Sequence, residues 1–568
     1  MSTTSEGEGK RVRRTGGQIL IDALRANGCE VVFGVPGESY LAALDALCDT
    51  GNSPRYVTCR HEGGACFMAT AYADVTGSVG VCFVTRAPGA TNAAIGLHTA
   101  HQGSTPLILI VGQIPRGDRD REAFQEMDYR RVFPQMAKWV AEIDDPSRIP
   151  EYVNRAYRTA TAGRAGPVVL VLPEDVLTAE TDVLDLPPAR RTRVSPSPDD
   201  MAKVGDLIKA SQRPLLLLGG ANWTLSGYQD IQAAAERHEI PVCVGFRRQG
   251  FFDHDHPNYI GNLGFGGEPS PNGYARQADL LIAVGTRFDD GTTLKSSLPK
   301  GPLSDSRLIH VHAGAEELGR FYQPDLPIQA DENAFASAFA ALASTATPER
   351  AALRQLARDS FENMIELPRQ PGAVDMGEVM RALNERLPRD AVVATGAGNA
   401  SDWPNIYYRY RAYRGALAPI SGAMGFGVPA AIAAKIAEPR RIAVYVGGDG
   451  DFLMNGQELA TAIQYGVDPI FVIVDNGSYG SIRMHQERRF PGRVAGTRLR
   501  NPDFAMVARG YGAHGETVER TEEFAPALAR ALDSGKATVI HIKVGEDHLG
   551  PNMTLSGLAG AVVDGGVA

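Results

Sequence analysis

Short runs of Val, Ile and Leu recur along the chain, separated by stretches with helical spacing. In the first third, strands are predicted at 31–35, 55–59, 79–85 and 106–112, with a helix over 63–75. A second block follows, with strands at 214–220, 240–246, 279–285 and 307–313. A third has strands at 391–396, 441–449, 469–476 and 537–544. Uninterrupted apolar strands between helices predict parallel sheets covered on both faces. The Pro-rich, charged stretch 185–200 reads as a linker, and 343–374 reads as a helix inside a connection. At 568 residues the chain exceeds one core, since single cores stop growing near ~250–300 residues. The expected fold class is α/β, with three doubly wound parallel-sheet domains at 12–184, 198–345 and 372–550, then a tail or lid at 551–568.

Composition changes this picture little. The chain is 43% hydrophobic and 22% charged, as for a soluble globular protein. A net charge of −9 argues against a general nucleic-acid binder, which carries a basic face. No apolar run approaches membrane-span length, and the polar start has no apolar signal core. The six cysteines form no CxxC pair and read as reduced, buried thiols of a cytoplasmic protein.

Chemistry enters where the strand at 441–449 ends in Gly447-Gly448-Asp449-Gly450-Asp451. The next strand ends in Asp475-Asn476, and in a right-handed βαβ unit both ends reach the same sheet edge, where ligands bind. An Asp carboxylate, an Asn side-chain oxygen and a nearby backbone carbonyl are hard oxygen donors suited to Mg²⁺. The glycines allow a diphosphate to approach the backbone and the next helix N-terminus. A Gly-Asp-Gly alone is more often a turn; the matching Asp-Asn makes a metal–diphosphate clamp the better reading. There is no Walker A loop.

These residues resemble the thiamine diphosphate enzymes of the acetolactate synthase group, and other segments extend the resemblance over nearly the whole chain. FGVPGE at 33–38, the stretch 60–77, PGATN at 88–92, AFQEMD at 123–128 and KW at 138–139 are similar to the pyrimidine-binding domain of that family. SGAMGFGVPAAIAA at 421–434 and the Gly447–Asp451 motif are similar to its diphosphate-binding domain. The resemblance implies thiamine diphosphate and Mg²⁺ as cofactors. It makes Glu62 the acid that hydrogen-bonds the aminopyrimidine, which needs a carboxyl in an apolar site able to share a proton. It assigns cofactor contacts to Gly37, Glu62, Pro88, Asn92, Gly398, Asn399, Ala400, Gly448, Asp449, Gly450, Asp451, Asn476, Ser478, Tyr479 and Gly480. Met424 matches the residue that props the cofactor, and Asp449, Asn476 and Ser478 match the metal ligands. Gln125, His485 and Glu487 join Glu62 as catalytic candidates. Sites shared between subunits imply a homodimer or homotetramer.

Several positions depart from acetolactate synthases. His485 stands where they carry a tryptophan, and the loop at 396–402 resembles that of oxalyl-CoA decarboxylases and 2-hydroxyacyl-CoA lyases. His312 replaces an aspartate of the FAD-binding relatives, so tightly bound FAD is not expected, although 285–290 is retained. Arg86 reads as pairing a substrate anion or a structural acid. The run 115–131, with Arg116, Arg119, Arg121, Arg130 and Arg131, reads as a solvated face or a site for CoA phosphates. His98 and His101 lack further metal ligands. The expected reaction is cleavage or formation of a C–C bond beside a carbonyl. A 2-hydroxyacyl-CoA lyase-like reaction releasing formyl-CoA and a ketone or aldehyde leads. Acetolactate synthase-type carboligation of 2-oxoacids is the alternative, and neither reading involves nucleic acid or membrane.

Overall fold

The computed structural model describes residues 13–298, 306–370, 372–551 and 553–558. Residue 12, the expected start of the first domain, and 559–568 of the expected tail lie outside these. The chain forms two compact units. One joins the residues up to Ala73 with Ser78–Thr192; the other joins Asp74–Gly77 with the chain from Arg193 onward.

The first unit holds a six-stranded parallel sheet built from β1 (Val31–Gly34), β2 (Arg55–Thr58), β3 (Gly80–Val84), β4 (Leu107–Gln113), β5 (Trp139–Glu142) and β6 (Pro167–Pro173), in the order β2-β1-β3-β4-β6-β5. Strands β3, β4 and β6 are buried along their whole length, which their unbroken apolar sequence requires. Helix α1 (Glu62–Thr76) follows β2, and α2 (Ala87–Gly103) follows β3. Both helices therefore begin at the carboxyl edge, and their first turns carry Glu62 and Pro88.

The second unit holds two such sheets. The central one comprises β7 (Pro214–Leu218), β8 (Val242–Val244), β9 (Tyr259–Asn262), β10 (Leu280–Val284), β11 (Arg307–His312) and β12 (Leu326–Gln329), ordered β9-β8-β7-β10-β11-β12. The C-terminal one comprises β13 (Val392–Thr395), β14 (Ala416–Leu417), β15 (Ala443–Gly448), β16 (Ile470–Asp475), β17 (His514–Val518) and β18 (Thr538–Lys543), ordered β14-β13-β15-β16-β18-β17. The order reverses at β13, so a crevice opens outside the carboxyl ends of β13 and β15. The central and C-terminal sheets share one continuous buried core, which is why three sheets make only two units.

The expected connection helix is α3 (Pro348–Met364), with Thr347 as N-cap and Pro348 in the first turn. Its inward positions include Ala357 and Phe361, but also the arginines 350 and 358. Arg350 is 3% exposed and donates to the carbonyls of Ile208, Ser211, His238 and Thr345, closing the ends of three chain segments. Arg358 does the same for His254, His256 and Tyr259. Ile208 and His256 also accept from the backbone amides of Ser211 and Tyr259, but Ser211, His238, Thr345 and His254 rely on these arginines, and a buried carbonyl left unsatisfied is costly. Arg350→Met is therefore expected to lower unfolding stability by about 3 kcal/mol. Urea denaturation checks this, and a loss below about 1 kcal/mol would contradict the bracing role.

Candidate active site

The site is built from the ends of β13, β15 and β16. Register pairs Gly448 with Val474, so Asp449 and Asp475 stand as neighbours one step beyond the paired residues. Loops 397–400, 448–451 and 474–482 line a cleft of about 270 Å³, together with Gly422, Met424 and residues 548–550. Helix α4 (Asp449–Asn455) starts directly at Asp449, whereas the spacing predicts a helix only from about residue 455; a single 3₁₀ turn then leads into α5 (Leu459–Gln464). Asp449 thus occupies a helix first turn as well as a strand end, and a carboxylate there is favoured by the helix dipole.

The two aspartates of the motif do different work. Asp451 is 2% exposed; its Oδ1 accepts from the amides of Ala397 (2.9 Å) and Gly425 (3.0 Å), and its Oδ2 accepts from the Tyr445 hydroxyl (2.6 Å). It ties three segments of the cleft wall together. Gly396 is obligatory for this, since a Cβ there would stand 1.9 Å from Asp451 Oδ2. Gly450 is needed likewise, because a Cβ would meet the Tyr479 ring at 2.6 Å. Gly398 has φ of +100°, a conformation glycine adopts freely.

Asp449 is equally buried, but among the described residues no Lys, Arg or His pairs with it; its Oδ2 accepts from Asn501 Nδ2, at 2.6 Å. Burial, with the Asp475 charge nearby, pushes its carboxyl up to about 6. The same Asn501 nitrogen donates to Asp475 Oδ1 at 2.7 Å, and His541 on β18 donates to Asp475 Oδ2 at 2.8 Å. Burial pushes Asp475 up, but the hydrogen bonds from His541 and Asn501 outweigh it and hold the carboxyl below its ordinary value. Asn476 donates to the carbonyl of His548, which leaves its side-chain oxygen, also bonded by the Ser478 amide, on the donor side of the cleft. No group of three or more His, Cys, Asp or Glu side chains is arranged for a metal among the described residues. An Asp–Asn–carbonyl set lies outside that class and fits a hard cation in its donors and in the missing counter-charge of Asp449.

The other cleft residues present backbone. Helix α6 (Gly480–Arg489) points its first turn, Gly480 to Ile482, into the cleft; the Gly480 amide donates to the Ser478 carbonyl (2.8 Å), and the amides of Ser481 and Ile482 face an anion site. Asn399 is held by Ser481 through both its amide (2.9 Å) and its side-chain oxygen (2.7 Å), while Ala400 faces Gly448. Just before the expected tail or lid, His548–Gly550 pairs with Met553–Thr554 at its start, and the Trp403 indole donates to His548 Nε2 (3.2 Å). Burial lowers the His548 imidazole to about 4, so it accepts that bond as the neutral ring.

In the first unit, Asn92 donates to Glu62 at 2.9 Å, and Gly89 lies against the same carboxyl. Gly37 packs against Thr85, and Gln125, in a left-handed turn at φ +66°, accepts from the Ala87 amide. Glu62, Asn92, Pro88 and Gln125 thereby gather around the start of α2. His485 is exposed on α6, one turn beyond the cleft-lining residues. Glu487 is buried, paired with Arg483 (2.6 Å) and accepting from the Gly492 amide (2.9 Å), so its carboxylate braces α6 and the turn after it. Arg86 pairs with Glu174, Arg116 with Asp175, Arg119 with Glu142 and Asp144, and Arg130 with Glu142. Asn501 and His541 carry no motif; only the fold brings them to the strand ends.

At the switch point of the central sheet, the buried carboxylate of Glu332 packs against the glycine turns at 220 and 285. His310 and His312 end β11, both lowered by burial.

Family models cover most of the chain: thiamine pyrophosphate enzyme, N-terminal TPP binding domain, at 14–132; central domain, at 201–339; and C-terminal TPP binding domain, at 396–542. The chain is 34% identical over 551 residues to an acetolactate synthase large subunit of Parasynechococcus marenigrum, covering 94% of this chain and 88% of the relative. It is 32% identical to a probable acetolactate synthase large subunit of Methanocaldococcus jannaschii (93% and 92% covered) and 31% identical to the acetolactate synthase isozyme 2 large subunit of Escherichia coli (94% and 96% covered).

Because the Asp449 carboxyl titrates higher when folded than when unfolded, its contribution to stability is full below about pH 4 and is lost as pH rises through about 6. In cofactor-free protein, Asp449→Asn is expected to be more stable than the parent at pH 7.5, on the order of 2–3 kcal/mol, and equal to it near pH 4. Urea midpoints at the two pH values check this; the same difference at both would contradict an uncompensated charge.

Proposed function

This chain belongs to the thiamine pyrophosphate enzymes, and from that premise we propose that it joins two 2-oxoacids, releasing CO₂ from the first and adding its acyl carbon to the second, as an acetolactate synthase-type carboligase. The observation that carries the reading is the cleft at the β13/β15 crevice, with a buried carboxylate that has no cationic partner among the described residues, in a chain matched over 94% of its length by an acetolactate synthase large subunit. When bound, thiamine diphosphate supplies an electron sink for the bond beside the substrate carbonyl.

The remaining work falls to this chain. Asp449, the Asn476 side-chain oxygen and the Ser478 carbonyl would hold Mg²⁺, which neutralises the diphosphate and the buried acid together. The amides of Ser481 and Ile482 in the first turn of α6, with those of the glycines at 398, 448 and 450, would take the diphosphate oxygens. Met424, partly buried in the cleft wall, would support the cofactor rings. Glu62, oriented by Asn92, would hold and pass the proton at the aminopyrimidine nitrogen.

The ion pairs of Arg116, Arg119 and Arg130 support a 2-oxoacid over an acyl-CoA, since these arginines are already engaged by carboxylates. Leu453, Met454 and Ile482, all exposed on α4 and α6, support a subunit contact beside the cleft, and hence a homodimer or homotetramer.

Purified protein with thiamine diphosphate and Mg²⁺ is expected to convert pyruvate to acetolactate and CO₂, read by mass spectrometry. Formyl-CoA from a short 2-hydroxyacyl-CoA, with no acetolactate, would overturn the reading in favour of a lyase. Glu62→Gln is expected to lower turnover by about 10²–10⁴-fold, the range for losing a general acid–base group, and unchanged turnover would contradict its role.

A further inference from the structure

Asp449 and Asp475 end adjacent parallel strands, and nothing in their own segments separates them. One nitrogen bridges them: Asn501 Nδ2 lies 2.6 Å from Asp449 Oδ2 and 2.7 Å from Asp475 Oδ1, using one hydrogen on each. The orientation of this amide is settled by chemistry, because the flipped rotamer would set its oxygen against two carboxylates. Asp475 is in turn fixed by His541 at 2.8 Å.

A second observation locates Asn501 independently. Residues 477–479 and 497–499 run antiparallel and are zipped by Leu499 N to Gly477 O (2.8 Å), Tyr479 N to Thr497 O (2.9 Å) and Ser478 Oγ to Thr497 O (3.1 Å). The segment that carries Asn501 is thus fastened to the segment that carries Ser478. One small ladder connects the backbone carbonyl and the carboxylate of the donor set.

We propose that Asn501 is a positioning residue for the cation site: it fixes the Asp449 carboxylate by tying it to Asp475, without touching the cation. This rests on the cation reading of Asp449, Asn476 and Ser478. With Oδ2 taken by Asn501, the oxygen of Asp449 left for a cation is Oδ1. Partners one bond behind a metal ligand set its affinity by about 10–100-fold.

The test is Mn²⁺ binding to the full-length protein in the presence of thiamine diphosphate, read by the loss of free Mn²⁺ electron paramagnetic resonance signal. Binding of thiamine diphosphate across a Mn²⁺ series is followed by tryptophan fluorescence. Asn501→Ala is expected to weaken Mn²⁺ by about 10–100-fold, with thiamine diphosphate affinity returning to the parent value at saturating Mn²⁺. Asn501→Ser, which keeps one donor and a small polar side chain, is expected to lose less, and it serves if the alanine variant does not fold. Mn²⁺ affinity within twofold of the parent in Asn501→Ala, or in Asn501→Ser where the alanine variant does not fold, would overturn the proposal while leaving the cation reading intact. So would a loss of thiamine diphosphate binding that no Mn²⁺ concentration restores. A parent protein whose thiamine diphosphate binding ignores Mn²⁺ would overturn both.

Discussion

Two carboxylates at the ends of neighbouring parallel strands, with only an amide between them, set the terms for the C-terminal half of this protein. Register leaves no choice: pairing Gly448 with Val474 makes Asp449 and Asp475 neighbours. The fold resolves the repulsion asymmetrically. Asp475 gains a buried histidine and stays ionised easily, while Asp449 gains the Asn501 amide but, among the described residues, no cationic side chain. The cleft wall is organised around that imbalance, with Asp451, two residues on, tying the loops that surround it.

The rest of the second unit acts as a frame. The helix α3 lies in a connection, but its two buried arginines finish the carbonyls of chain segments that no sheet completes. The central sheet has the strand order of a dinucleotide-binding domain, and the buried Glu332 packs against the glycine turns at its switch point. Strand order makes a ligand crevice available, and side chains determine whether it is used.

The three parallel sheets were legible from strand-length apolar runs alone, because a strand buried on both faces must be apolar throughout. Asp449 and Asn476 were legible as partners because strand ends of a βαβ unit reach one edge. Asn501, His541 and His548 were not, since each arrives from a distant segment and an Asn-Pro or a strand histidine carries no signal of its own. Glu487 looked substrate-facing from its spacing, yet an arginine four residues earlier on the same helix takes its carboxylate. The choice between lyase and synthase leaned on the 396–402 loop and on His485. The relatives favour the synthase, and His485 lies a turn beyond the part of α6 that enters the cleft. Pocket chemistry is assembled from several loops, so single motif departures weigh less than a match over the whole chain.

The account depends on a cation held by the strand-end oxygens, and anomalous diffraction at the manganese edge from crystals grown with Mn²⁺ and thiamine diphosphate tests it most directly. The predicted result is one strong peak per chain, coordinated by Asp449, the Asn476 side-chain oxygen and the Ser478 carbonyl, with Asn501 outside the coordination sphere. A cofactor-loaded crystal with no peak in that cleft, or with manganese bound by Asp475 and Asn501 instead, would contradict it.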